Sequence, residues 1–510
     1  MIMLPKPLPD IAWNTPEYET LPLVKPTGFR EYDARWLFFE EREGGIYSEL
    51  NLLGAQALGL GLGTFLHEKG VRPEVVVGHD YRSYSGSVKQ ALITGLMAAG
   101  CVVHDIGLSL SPMAYYAQFA LGVPGVAMVT ASHNPNGWTG VKMGCEPPLT
   151  FGPEDMAQLR DIVLEGRWQM REGGRLVHHP EMRARYLDDL KKRGGTLKRR
   201  LKVVCACGNG TAGLFAPELL RAMGAEVIER HCRPDWTFPH YNPNPEDKVM
   251  LRDMADAVKA HGADLALGFD GDGDRCGVVD DAGHVIYSDK VGVLIARDLA
   301  RRFPGAKFVA DVKSTCLFET DPVLQELGAE TDYFKTGHSY IKRRTTELDA
   351  IAGFEKSGHF FFRPPVGLGY DDGLVSAIAV LHMLDANPDK RLSELYAALP
   401  LTHATPTMAP HCPDEEKYDV VKAVTRHYRA LMEQGAAIDG QRIEKINTVN
   451  GVRFTLADGS WGLVRASSNK PELVVVCESP VSEARMRAIW EHIRDHLATY
   501  ENVGDYNQTL

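Results

Sequence analysis

Thr130-Ala131-Ser132-His133-Asn134-Pro135-Asn136-Gly137-Trp138-Thr139-Gly140-Val141-Lys142 follows the apolar run Val126 to Val129, which reads as a buried strand. Ser132 is thereby delivered onto a loop crowded with polar groups and turn formers, presented rather than packed. Asn134-Pro135 and Asn136-Gly137 both favour turns, which fold the loop back and bring His133 and Lys142 near the Ser132 hydroxyl. A nucleophilic oxygen, a proton carrier and a cation are what a reversible phosphoryl acceptor needs. Taken alone, Ser132 is also consistent with an ordinary loop serine.

Gly268-Phe269-Asp270-Gly271-Asp272-Gly273-Asp274-Arg275 carries three carboxylates at alternate positions, separated by glycines that can take positive φ. Turned toward one centre at ~4 Å, they repel by roughly 4 kcal/mol per pair at an effective dielectric of about 20, so convergence implies a cation. Mg²⁺ suits all-oxygen ligation and keeps a coordination position for a phosphate oxygen. A calcium EF-hand is excluded because Arg275 stands where its loop needs glycine and Asp281 where it needs glutamate. The flanks Leu265 to Leu267 and Val278-Val279 also read as strands rather than helices.

Two further stretches carry polar side chains with a purpose or an innocent alternative. In Gly353-Phe354-Glu355-Lys356-Ser357-Gly358-His359, the residues Glu355, Ser357 and His359 alternate, so an extended segment would place them on one side, suited to sugar hydroxyls or simply to a surface strand edge. Arg465-Ala466-Ser467-Ser468-Asn469-Lys470-Pro471 lies between two strand-like runs and reads as an anion cradle or a polar hairpin. Near the start, Gly28 to Arg35 is dense in charge and aromatic surface; it is a solvated turn, or else Tyr32 and Arg35 point into a site.

The elements that must position these groups alternate. Residues 1 to 25 are proline-rich and read as an irregular lead-in. Helical spacing over 49 to 68 and 86 to 99 brackets the strand-like Val75 to Val77, and Cys101 to Ile106 follows as another strand. The same strand, polar loop and helix recur at Leu201 to Met223 and at Lys307 to Leu327, which predicts three related, doubly wound α/β domains. Beyond residue 400 the order changes to a helix at 415 to 434, strands near 443 to 456, 461 to 466 and 472 to 477, and a helix at 481 to 498: a small α+β domain.

A chain of 510 residues exceeds what one core supports, so three or four domains are expected. With 24% charged and 44% hydrophobic residues, wholesale disorder is excluded. A net charge of −11 disfavours nucleic acid and anionic membranes, so an anionic substrate must be met by locally gathered cations. No stretch reaches the roughly 18 apolar residues of a spanning helix, and Met1 to Trp13 does not resemble a secretory signal. The nine cysteines are scattered, and Cys205 with Cys207 lacks zinc or redox spacing, so reduced thiols in a cytoplasm are expected.

Taken together, in this order, the Phe29 to Arg35 segment, the Ser132 loop, the Asp270 to Arg275 loop, Thr336-Gly337-His338-Ser339, the Glu355 to His359 loop and the Arg465 to Pro471 loop resemble the α-D-phosphohexomutase superfamily, and most closely its bacterial phosphomannomutase/phosphoglucomutase branch. The resemblance covers roughly residues 28 to 480. It implies a four-domain, heart-shaped arrangement around a central cleft: an extension at 1 to 27, domain 1 at 28 to 177, domain 2 at 178 to 284, domain 3 at 285 to 399 and domain 4 at 400 to 510.

The activity so implied interconverts mannose or glucose 1-phosphate and the 6-phosphate through a phosphoserine and a hexose 1,6-bisphosphate. Ser132 would carry the phosphoryl group, and Asp270, Asp272 and Asp274 would hold Mg²⁺ with a phosphoserine oxygen. His133, Lys142 and Arg275 would stand near the transferring group, with His359 a candidate proton carrier. Glu355 and Ser357 would read sugar hydroxyls; Arg465, Ser467 and Asn469 would grip the other phosphate; Tyr32, Arg35, Lys313 and His338 would line the cleft. Glucose or mannose 1,6-bisphosphate is the implied activator, and a cytoplasmic monomer or homodimer the implied form. A phosphoglucosamine mutase and a Mg²⁺-dependent sugar phosphatase are the competing readings. The chain departs from the family pattern at Thr139, Asn136-Gly137, Phe354, Asn469 and Lys470.

Overall fold

The computed structural model describes residues 4–43, 45–468, 470–508 and 510. It divides into two compact units, one comprising the chain up to Val291 with Ser357–Glu394, the other Gly292–Lys356 with Leu395–Leu510.

In the first unit, six strands run in the order Ala34–Leu37, Trp138–Gly144, Gly125–Val129, Glu74–His79, Val102–Leu108, Arg175–His178. The four from Gly125–Val129 onward are parallel, as the strand and helix alternation predicts. Valines at 75 to 77 and the whole of Gly125–Val129 are buried, which is why they read as unbroken apolar runs. The helices Leu52–Glu68 and Ser85–Ala98 approach closely through glycines: a Cβ on Gly59 would lie 2.1 Å from the Leu92 carbonyl oxygen, and one on Gly95 2.0 Å from that of Gln56. The Asn51 side chain caps the first of these helices by accepting from Gly54 N–H.

A second sheet in this unit has the order Glu226–Arg230, Lys202–Ala206, Leu265–Phe269, Cys276–Asp280, Val285–Ile286. Its first three strands are parallel, and Leu265–Phe269 and Cys276–Asp280 form an antiparallel pair whose connection is the aspartate loop. The helix Gly373–Asp385 packs on Met182–Gly194, and the Tyr186 hydroxyl donates to Asp372 at 2.8 Å.

In the second unit, Lys307–Asp311 pairs in parallel with Glu330–Phe334 and with Ala352–Phe354. The last domain is a six-stranded sheet, ordered His403–Ala404, Leu473–Ser479, Trp461–Ala466, Val452–Leu456, Gln441–Asn447, Ala437–Ile438 and antiparallel throughout. Helices Lys417–Glu433 and Glu483–Leu497 cover it. Two buried side chains stitch this sheet to the loop after Lys307–Asp311. Arg453 donates to the Val312 and Ser314 carbonyls at 2.9 and 3.0 Å, and Glu478 accepts from Thr315 Oγ1 and Cys316 N–H, both at 2.8 Å.

Three local expectations are revised. The lead-in is not wholly irregular: Thr15 caps a short helix, Pro16–Thr20, and Asn51 Nδ2 donates to the Tyr18 and Leu21 carbonyls. The polar loop after Val129 ends at Trp138, where an antiparallel strand begins, so Lys142 sits on that strand opposite Met128. Residues 355 to 358 do not continue the strand Ala352–Phe354 but turn, with Gly358 at φ +96, so the alternation of Glu355, Ser357 and His359 does not place them on one extended side.

Candidate active site

Ser132 leaves the end of Gly125–Val129 in the left-handed region, φ +51, where a non-glycine residue is strained and held only by its surroundings. Those surroundings are polar and buried. Asp80 accepts from Thr130 Oγ1 at 2.8 Å and Ser85 Oγ at 2.6 Å and is paired with Arg82. Thr130 Oγ1 in turn accepts from Ser132 N–H at 2.9 Å, and Arg82 Nη2 donates to the Ser132 and Asn134 carbonyls at 3.0 and 2.7 Å. Arg35 grips the same loop, with Nη1 on Asn134 Oδ1 at 2.8 Å and on the Ala131 carbonyl at 3.2 Å, while its Nε pairs with Asp33. Asn242 Nδ2 donates to the His133 carbonyl.

The aspartate loop closes on this serine. Ser132 Oγ donates to Asp270 Oδ2 at 3.2 Å and stands 3.3 Å from His133 Nδ1. The approach is close enough that a Cβ on Gly271 would come within 2.5 Å of the Ser132 carbonyl oxygen. Asp270 Oδ1 accepts the N–H groups of Asp274 and Arg275, and Arg275 Nε donates to Asp270 Oδ2 at 2.9 Å. Lys142 reaches Asp272 Oδ2 at 2.7 Å and also pairs with Asp274 Oδ2. Ser111 Oγ adds a 2.5 Å bond to Asp272 Oδ2. The three aspartates are wholly buried, and Ser132, Lys142 and Arg275 are at most 2% exposed.

So much buried charge perturbs the titrating groups. Burial and then the neighbouring Asp272 raise Asp274 to about 7. Against the cost of burial, Lys142 holds Asp272 below the usual carboxylate range, and Asp272 and Asp274 hold Lys142 well above the usual ammonium value. Burial, reinforced by Arg275, lowers His133 well below an ordinary imidazole.

The aspartates fit a hard divalent cation. Each offers an oxygen within 4.8 Å of the others, the donors are all carboxylates, and among the described residues Asp272 Oδ1 and Asp274 Oδ1 accept no hydrogen bond. One buried ammonium and one buried guanidinium for three carboxylates leave the cluster short of positive charge, which a divalent ion would supply.

Of the remaining expected residues in the first unit, His359 Nδ1 lies 3.0 Å from Asp371 Oδ2 and 3.7 Å from Asp274 Oδ1, beside the cluster. The Ser357 carbonyl accepts from Arg275 Nη1 at 3.4 Å. Tyr32 is buried close to Arg35. In the second unit, Glu355 Oε1 accepts from Gly337 N–H at 3.1 Å, at the start of the helix His338–Glu347, and His338 is buried. Lys313 Nζ is 3.9 Å from Asp311 Oδ2. Arg465 and Ser467 are buried at the end of Trp461–Ala466, with Arg465 Nη1 on the Ala466 carbonyl at 2.8 Å. Asn469 lies outside the described residues.

Sequence reasoning did not single out Asp80, Arg82, Ser111, Asn242 or Asp371. The signal available for the first two was His79-Asp80 at the end of a buried strand, the same kind of position that presents Ser132.

Comparison with known proteins gives one family along most of the chain. Models described as phosphoglucomutase/phosphomannomutase alpha/beta/alpha domains I, II and III match residues 27–170, 184–283 and 287–402, and that of the C-terminal domain matches 411–496. A phosphomannomutase/phosphoglucomutase of Pseudomonas putida is 35% identical over 477 residues, 93% of this chain and 96% of the relative. A phosphoglucomutase of Neisseria gonorrhoeae is 32% identical over 457 residues, 89% of this chain and 94% of the relative. Among solved structures, a phosphoglucomutase/phosphomannomutase family protein of Burkholderia thailandensis matches with a TM-score of 0.82 and 28% identity, covering 95% of this chain and all of that one. Four matched domains, three of α/β/α type and one C-terminal, together with relatives of this identity along most of the chain, make it a member of the phosphoglucomutase/phosphomannomutase family, a phosphohexomutase.

Proposed function

We propose that this enzyme interconverts the 1-phosphates and 6-phosphates of mannose and glucose, with Ser132 as the phosphoryl carrier. The observation that carries the reading is the convergence of the Ser132 hydroxyl, three carboxylates, Lys142 and Arg275 in one buried cluster, in a chain of this family.

Phospho-Ser132 gives its phosphoryl group to the C6 hydroxyl of hexose 1-phosphate. The bond from phosphorus to the serine oxygen breaks as the bond to the sugar oxygen forms, and the hydroxyl proton passes to a base, for which His359, oriented by Asp371, is the candidate. The 1,6-bisphosphate turns round, and the phosphoryl group at C1 passes to the deprotonated Ser132 oxygen as the base returns its proton to the C1 oxygen, releasing hexose 6-phosphate. Lys142, Arg275 and His133 stand where charge develops on the moving group. Mg²⁺ held by Asp270, Asp272 and Asp274 with a phosphoserine oxygen would supply further charge neutralisation there.

To Glu355 and Ser357 we assign recognition of sugar hydroxyls, and to Arg465, Ser467 and Asn469 the phosphate that is not reacting. Tyr32, Arg35, Lys313 and His338 are assigned to the substrate's surroundings, Arg35 through its hold on the serine loop. Glucose or mannose 1,6-bisphosphate, as the reaction intermediate, is the activator that restores phospho-Ser132. The enzyme acts in the cytoplasm as a monomer or homodimer, and nine cysteines without a disulfide suit that reducing compartment. No helix among the described residues is long and apolar enough to cross a membrane.

The test is isomerisation of mannose 1-phosphate and of glucose 1-phosphate with Mg²⁺ and a trace of glucose 1,6-bisphosphate, following hexose 6-phosphate and inorganic phosphate. Turnover of both sugars is expected. Turnover of glucosamine 1-phosphate instead would move the assignment to amino sugars, and release of phosphate alone would replace a mutase by a phosphatase.

A further inference from the structure

Three thiols that the phosphoryl-transfer cluster does not use meet at the end of the second sheet. Cys205 lies on the strand Lys202–Ala206 and Cys207 two residues on, so their side chains leave the same side. The parallel register sets Cys205 beside Glu229 and Ala206 beside Arg230, and Cys207 N–H continues the ladder by donating to the Arg230 carbonyl at 3.1 Å. Cys232, just past that neighbouring strand, is carried in beside Cys207. Cys207 Sγ stands 3.8 Å from Cys205 Sγ and 3.6 Å from Cys232 Sγ, and all three sulfurs lie within 4.8 Å of one another. The three residues are 0%, 0% and 4% exposed.

Those spacings match coordination chemistry. Metal–sulfur bonds of about 2.3 Å set sulfurs about 3.8 Å apart at tetrahedral angles and about 4.0 Å apart at trigonal ones, whereas a disulfide holds them at about 2.05 Å. The spacing in sequence is not that of a zinc motif, because the third sulfur comes from just past a neighbouring strand, brought in by the parallel register.

We propose that Cys205, Cys207 and Cys232 form a binding site for a soft, thiophilic cation, with copper(I) the best match. Thiolates select copper(I) and zinc among biological metals. Structural zinc takes four donors, and the metal-ligating group here, among the described residues, consists of three sulfurs. Mg²⁺ prefers oxygen and does not compete for it, so hard and soft cations sort to separate sites in one domain. The Cys232 thiol donates to the Cys205 carbonyl at 3.1 Å; coordination exchanges that bond for a metal bond and releases thiol protons. The loop that follows Cys207 supports the aspartate loop, since Thr211 N–H donates to the Gly271 carbonyl at 3.2 Å. A cation at the thiols therefore fastens the base of that loop.

The test is anaerobic titration of the reduced full-length protein with copper(I) against a competing chelator. Expected are one copper bound per chain, a near-ultraviolet thiolate-to-copper band and a rise in melting temperature with copper. Cys207→Ser and Cys232→Ser, each checked for folding by circular dichroism, should weaken binding by more than the roughly 10 to 100-fold that loss of an outer-shell partner costs, while Cys101→Ser should bind as wild type. Binding unchanged in both folded variants, or no thiolate band in the wild type, overturns the proposal.

Discussion

Ser132 Oγ donates to Asp270 Oδ2 at 3.2 Å although the two residues are 138 positions apart. The contact depends on Gly271, whose missing side chain admits the Ser132 carbonyl. In Gly271→Ala the new methyl would meet that oxygen at 2.5 Å, so the two loops must separate. A misplacement of ~1 Å costs on the order of 10²-fold in rate. The expected outcome is a fall in kcat of that size with a melting temperature close to wild type, checked by steady-state kinetics beside calorimetry.

Lys142 bridges two of the three aspartates, Asp272 and Asp274. Lys142→Met removes a cation from the place where phosphoryl charge develops, and kcat should fall by about 10² to 10³. It also leaves buried carboxylates with less compensation, so Mg²⁺ should stabilise the variant more than it does the wild type. Thermal unfolding with and without a chelator reads this difference directly.

Arg82 and Asp80 position the serine rather than touch the reacting atoms. Both side chains are 1% exposed, and Arg82 also satisfies the Ser132 and Asn134 carbonyls. Arg82→Ala strands a buried carboxylate and should destabilise the fold by about 3 to 5 kcal/mol. Arg82→Lys keeps the charge but loses the planar fork, so in urea unfolding and kinetics it should lose more in kcat than in stability.

A second buried pair tests the fold apart from the chemistry. Lys89 on the helix Ser85–Ala98 meets Asp105 on the strand Val102–Leu108 at 2.7 Å. Burial opposes the charge on Asp105, but the Lys89 hydrogen bond prevails and holds the carboxyl below its ordinary value of 3.8. A lowered folded value means that the stabilisation is fully present above the unfolded value near 4 and is lost as pH falls through the folded one. Lys89→Met should cost about 3 to 5 kcal/mol at neutral pH, and the gap to wild type in urea unfolding should narrow below pH ~4.

How much of this was legible in the sequence follows from where each signal lies. The aspartate loop and Ser132 were readable because their spacing is local: carboxylates between glycines, and a serine straight after a buried strand. The last domain was readable because its strands are short, largely apolar runs and its helices are amphipathic. Asp80, Arg82 and Ser111 were not singled out: the strand end at His79-Asp80 was a weak local signal for the first two, and the contacts that tie all three to the site come from strands and loops 50 to 161 residues away. The stretch from Glu355 to His359 was misjudged because alternation implies one shared side only while the backbone stays extended, and Gly358 ends that at φ +96. Cys205 and Cys207 lack a motif spacing, and their third neighbour, Cys232, was not legible beside them because it arrives through strand pairing.

Whether Ser132 carries the phosphoryl group is read by intact and peptide mass spectrometry of the protein after incubation with glucose 1,6-bisphosphate and Mg²⁺. A single phosphoryl group on Ser132, discharged when hexose 1-phosphate is added and absent along with mutase activity in Ser132→Ala, is the predicted result. Full isomerase activity in Ser132→Ala, or a phosphoryl group on another residue that turns over with substrate, would contradict it.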